Sequence, residues 1–180
     1  MNNNALAFTA LSREYCDTLV SASSGSPSRF VGSMLKLLPR IYIAASDLKP
    51  SAAMLLEEED DSWLNPVLDE QAYDDVRASV AVLMGEEDVF LEVFEEDMKY
   101  SETPVAASIS ESLADIYQQL FNFLYTVADS TDDVIDSAIL AVRTSFKEFW
   151  SQTLLNVLRA LNHLWAAGLL PDDSDDEGMD

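Results

Sequence analysis

SLADIYQQLFNFL, residues 112–124, decides the fold. Stepping about 100° per residue gathers Leu113, Ile116, Tyr117, Leu120 and Leu124 into one apolar stripe, which Ile109 and Val127 extend at either end. The period is helical, and the stripe is long enough to be the spine of a bundle. Asp115 falls about 160° from the centre of the stripe, in a column with Glu111, Gln118, Asn122 and Asp129, which reads as the wet face. Ser108 and Glu111 have the spacing of a capping box, and Thr103 with Pro104 suits an N-cap and first turn upstream.

Working outward, Phe8, Leu11, Tyr15 and Leu19 share a face of a first helix that ends in SASSGSPS, residues 21–28. A second helix from about Arg29 places Phe30, Val31, Met34, Leu38, Ile41 and Leu48 on one side and Arg29, Lys36 and Arg40 opposite. Pro39 should kink or break it near Leu38, because proline removes a donor and crowds the preceding turn. Residues 50–68 read as a loop. Asp69 is a candidate N-cap with Leu68 stapled to Tyr73, and Gly85 is a stop signal for the helix that follows. Residues 86–102 are ambiguous: Val89, Leu91 and Val93 alternate like a strand while Phe90 and Phe94 fit a helical turn, and the segment reads as mostly irregular.

From Thr131 to Ala167 the helical pattern returns, with Ile135, Ile139, Val142, Phe146, Phe149 and Trp150 in one seam and Leu154, Val157, Leu158, Leu161 and Trp165 in another. A straight helix of that length would run about 55 Å, so a break is expected near Ser151 to Thr153. Gly168 can cap the end. The fold class is all-α: a single-domain bundle of about five or six helices over residues 5–168, with acidic irregular segments near 50–68 and 86–102. The acidic tail 169–180 is expected to be disordered.

The chain has 180 residues and a formal charge of −23, from 33 acids against 10 Lys and Arg. Residues 1–56 carry +2, 57–102 carry −15, 103–170 carry −4 and 171–180 carry −6. Such a field repels phosphate backbones and anionic membranes, so nucleic acid and membrane surfaces are poor partners. A protein partner remains. The N-terminus lacks a basic region before a broken apolar run, which is unlike a signal peptide, and the single Cys16 requires no oxidising compartment. The chain reads as cytoplasmic.

Four stretches resemble a known family when taken in order: EYC at 14–16, LLPRIYIAASDLKP at 37–50, SLADIYQQL at 112–120 and LRALNHL at 158–164. Together they are similar to the bacterial domain-of-unknown-function family five-zero-six-three over residues 8–166. The resemblance implies an all-helical domain and supplies no catalytic residues. Tyr15, Pro39, Tyr42, Asp115, Tyr117 and His163 match the family's pattern without roles attached. The acidic tail and the run EEEDD at 57–61 look like additions to it.

Among candidate chemistries, Glu111 and Asp115 have the i, i+4 spacing that lets two carboxylates share Mg²⁺, and Glu14 with Asp17 could join them. That arrangement would suit an Mg²⁺-dependent nucleotide hydrolase. Against it, Asp115 and Asp17 point away from their helices' apolar stripes. His163 is the sole histidine, which excludes di-iron bundles and multi-imidazole zinc sites. A Cys16 and His163 nucleophile pair would need their helices to meet. Neither a Gly-rich phosphate loop nor a dinucleotide fingerprint is present. No cofactor is expected on the main reading. Trp63, in an acidic loop, either tucks back or anchors a partner. Arg29, Lys36 and Arg40 either bind an acidic ligand or pair with the chain's own acidic middle. The acidic runs could dock a basic protein, as an inhibitor would. The main expectation is a non-enzymatic binding or interaction module.

Overall fold

The computed structural model describes residues 3–51, 63–92 and 105–171. Six helices follow in order: α1 (Asn3–Val20), α2 (Pro27–Ser46), α3 (Glu70–Met84), α4 (Ile109–Val127), α5 (Asp132–Ser145) and α6 (Ser151–Ala167). A small antiparallel pair, β1 (Val89–Leu91) and β2 (Ala106–Ser108), sits between α3 and α4. The class is all-α, as the periodicity predicts.

The quoted stretch lies in α4, which is enclosed by α1, α3, α5 and α6. Its stripe is buried along Ile109, Leu113, Ile116, Tyr117, Leu120 and Val127, and Leu124 packs at its edge. From α1, Phe8 meets Phe123 edge-on at 5.1 Å between ring centroids. The fully buried Tyr15 hydroxyl donates to the Leu113 carbonyl at 2.8 Å. That bond satisfies a phenol which would otherwise be desolvated without a partner.

Burial of α4 goes beyond one stripe. Asn122, expected on the wet face, is only 8% exposed. Its Oδ1 accepts the backbone N–H groups of Val67 and Leu68, both at 3.1 Å. Thr126 Oγ1 accepts from Asn65 N at 2.8 Å, and Ser137 Oγ of α5 accepts from Trp63 N at 3.3 Å. Residues 63–68 thus form a strap across α4. The loop expected at 50–68 is present over its described part, and 52–62, including the EEEDD run, lie outside the described residues.

The N-terminus of α4 is capped twice. Ser108 Oγ accepts from Glu111 N at 3.1 Å, while Asp88 receives Ser110 N at 2.8 Å and Ser110 Oγ at 2.7 Å. A carboxylate there also favours the positive end of the helix dipole. The helix starts at Ile109 and not near Pro104, because Ala106–Ser108 is extended against Val89–Leu91. Thr103 and Pro104 lie outside the described residues, as do 93–102. Val89 and Leu91 form a real strand, so the irregular reading of 86–102 is corrected there: a partner three residues long gives too little pattern to read.

Other punctuation follows the sequence. Asp69 caps α3 by accepting from Ala72 N at 2.7 Å, and Gly85 ends that helix at φ +57. Gly168 closes α6 in the left-handed region at φ +65. The tail 172–180 lies outside the described residues.

Three expectations are corrected. α2 runs unbroken through Pro39, so of the kink or break expected near Leu38 the break does not occur. The lost bond concerns the Leu35 carbonyl; both residues lie on the half-buried outer side, where water can take the acceptor, while Leu38 and Ile41 anchor the turn in the core. No break occurs at Ser151 to Thr153; a π-helical turn, Phe146–Trp150, joins α5 to α6 instead. The wider turn advances less than 100° per residue, so Trp150 returns beneath Phe146, at 4.5 Å, and Phe149 is turned out, 70% exposed. Trp165 is also off its expected seam and exposed, because Leu161 and Leu164 take the inner face.

Among the described residues, no helix is long and apolar enough to cross a membrane. Three predictions follow from the core. Asn122→Ala strands two backbone donors beneath the strap and should cost roughly 2–4 kcal/mol by chemical denaturation, whereas Asn162→Ala, on an exposed face, should stay within about 0.5 kcal/mol. Burial, reinforced by Asp17, pushes the Cys16 thiol from 9.0 up to about 12; burial likewise raises Tyr15, and raises Tyr117 from 10.0 to about 12. The fold therefore favours their neutral forms. That contribution is complete below pH 9 and lost as pH rises toward 12, which circular dichroism should record as alkaline destabilisation. Alkylation of Cys16 at pH 8 should require unfolding.

Candidate functional site

α2 and α6 contain no Asp or Glu, although the chain has 33 acids. They pack together and leave a groove of about 660 Å³ between their outer flanks. Leu35 and Pro39 of α2 face Leu155, Leu158 and Trp165 of α6 across it, with Lys36 and Arg159 among its lining residues. Leu155 is 43% exposed and Trp165 63% exposed, so the lining is apolar and wet. The two helices carry four basic residues, Arg29, Lys36, Arg40 and Arg159, on a chain of −23, and Lys36 and Arg159 line the groove itself.

Gly32 also lines the groove. A Cβ there would meet nothing within 4 Å, so internal packing does not require glycine. Its presence costs α2 about 1 kcal/mol relative to alanine. The space it leaves is part of the groove.

Of the residues singled out in the sequence, Arg29, Lys36 and Arg40 are all exposed on the outer side of α2. Lys36 reaches the groove; Arg40 pairs with Glu14 of α1 at 3.5 Å. Both partners are more than half exposed, and such a pair contributes little. Trp63 is fixed by its backbone at Ser137, with its side chain 48% exposed, at one end of the strap. Arg159 was not anticipated. Its guanidinium donates to the Leu91 carbonyl, tying β1 to α6 at one border of the groove. Its signal in the sequence is that it is the only Lys or Arg in α6.

The four candidate metal ligands are placed as follows. Asp115 is exposed and accepts the Tyr73 hydroxyl at 2.7 Å, bridging α3 and α4. Burial and this hydrogen bond raise the Tyr73 phenol well above its usual range. Glu111 is exposed one turn before it. Glu14 and Asp17 line a shallow cleft on the outside of α1 with Arg13. Among the described residues, no three His, Cys, Asp or Glu side chains gather as a cation site would need.

Cys16 is buried in α1, and among the described residues no hydrogen bond joins it to His163. His163 is exposed on α6 and lines a smaller cavity, about 320 Å³, with Glu87, Phe90 and Arg159. The arrangement that stands out chemically is an apolar groove floor with the cations Lys36 and Arg159 beside it.

The fold is similar to the crystal structure of protein BF1032 from Bacteroides fragilis, with a TM-score of 0.74 and 27% identity, covering 91% of this chain and 92% of that one. No curated protein matches the chain. The family model described as a domain of unknown function, DUF5063, matches residues 1–167, and the chain belongs to that family.

Proposed function

We propose that the protein is a cytoplasmic, non-enzymatic interaction module whose α2/α6 groove receives an acidic amphipathic helix from a partner protein. The observation that carries this reading is the acid-free pair of helices around an apolar groove, on a chain that is strongly acidic elsewhere. A helix with apolar side chains at i, i+3, i+4 and i+7 lays one face into such a groove, and glutamates on its flanks meet Lys36 and Arg29. Gly32 widens the floor for one large side chain. The general acidity of the protein slows encounter with an acidic partner at long range, and the basic face selects the orientation at short range.

A fluorescently labelled helical peptide with an apolar Leu/Phe stripe and Glu flanks tests this, beside a twin with Lys in place of Glu. The Glu peptide should bind more tightly in fluorescence anisotropy, and Gly32→Leu should weaken it at least about tenfold by filling the floor. Lys36→Glu should cost about three- to tenfold, less at high salt. Preference for the Lys twin would refute the groove reading and favour docking of a basic partner on the acidic segments. Mg²⁺ separates the hydrolase reading: as an interaction module the protein should keep its melting temperature in MgCl₂ beyond an ionic-strength control. A rise lost in Asp115→Ala would instead establish a cation site by mass action.

A further inference from the structure

The described chain ends at Pro171, whose carbonyl accepts the Ser28 hydroxyl in the first turn of α2. The last residues after α6 are thus held beside α2, next to Arg29 and at the Trp165 end of the groove. Immediately beyond comes DDSDDEGMD, residues 172–180, with six acids in nine positions. We infer that segment 172–180 is an intramolecular ligand of the basic α2/α6 face and competes there with an acidic partner.

Three observations converge. The first is attachment, since the Ser28 contact delivers the segment to the mouth of the groove and not to the opposite side of the bundle. The second is reach: nine extended residues span about 30 Å, whereas α2 rises only about 16 Å from Arg29 to Arg40. Every cation of the face is within range. The third is sign. The six acids meet two helices that carry four cations and no acid of their own; of these cations Arg40 also faces Glu14 of α1 at 3.5 Å in an exposed pair, while Arg77, elsewhere, is held by Asp74 at 3.1 Å. Arg143 and Lys147 lie on a stretch that also carries Asp136 and Glu148.

Composition sets what the segment can do. With Met179 as its one large apolar residue, it can satisfy the cations but cannot fill the floor. The competition is therefore electrostatic and strongly screened by salt. A short tether nevertheless gives a local concentration on the order of millimolar, so weak pairing suffices to hinder a second acidic ligand. A partner that brings apolar anchors as well as acids displaces it; a merely acidic chain does not. The segment would act as a filter for amphipathic partners.

This inference rests in part on the docking reading above, and the test separates the two. In the full chain, Asp172, Asp173, Asp175, Asp176 and Asp180 are changed to Asn and Glu177 to Gln. The first readout needs no partner: amide resonances of Gly32 and Lys36 and the indole N–H of Trp165 should differ between native and neutralised proteins at 50 mM NaCl and coincide at 500 mM, both about the range over which screening acts. The second is binding of the Glu-flanked peptide, which should tighten about threefold or more on neutralisation at low salt. Resonance differences without any peptide binding would support the segment as ligand and refute the docking reading. Peptide binding in the groove with identical resonances and affinity in both proteins would overturn the inference and leave the docking reading intact. Differences confined to the surroundings of Lys49, Arg77 or Arg143 would overturn it too.

Discussion

Enclosure of α4 on nearly every side is the constraint that orders the rest of the molecule. A helix so buried cannot leave its polar side chains unpartnered, and Asn122 and Thr126 are the test. Both are satisfied by backbone N–H groups of residues 63–68, so the strap is the means by which the core tolerates one carboxamide and one hydroxyl. Tyr15 plays the same part from the other side, its hydroxyl reaching the Leu113 carbonyl across a fully apolar contact. Hydrogen bonds of this kind contribute little net stability when made and cost much when broken. They fix register between α1, the strap and α4.

With α4 at the centre, the outer helices divide the charge. Glu14, Asp17, Glu111 and Asp115 lie on the sides of α1 and α4 that meet water, where like-charge repulsion is screened. α2 and α6 carry none of the acids. Packing does not demand this, because the outer flanks of both helices are wet and would accept Asp or Glu as readily as Lys. The same holds for Gly32, which no neighbour crowds. Two departures from what packing requires, at one place, give the groove its functional reading.

Much of the fold was legible in residue spacing: the stripe of α4, the face of α1, the Asp69 cap, and the stops at Gly85 and Gly168. Each is a local signal with a local cause. What was hidden depends on neighbours. Asn122 projects outward from its own helix, and only the strap makes that side an interior. Pro39 breaks an isolated helix, yet flanking core side chains hold this one. The π turn shifts the phase of every residue after Phe146, so a projection at constant pitch misplaces Phe149. The groove was half visible: of the basic residues of α2, Lys36 marked one wall, while Arg159, Leu155 and Trp165 belong to a helix whose partner cannot be read from periodicity.

The groove is the claim on which the functional account stands, and amide hydrogen exchange of the full chain with and without the Glu-flanked amphipathic peptide tests it directly. Protection should increase along α2 from Arg29 to Arg40 and along α6 from Leu155 to Trp165, while the outer side of α1 and the Asp115 side of α4 stay unchanged. Protection centred on residues 10–17 or 111–118, with α2 and α6 unaffected, would contradict it.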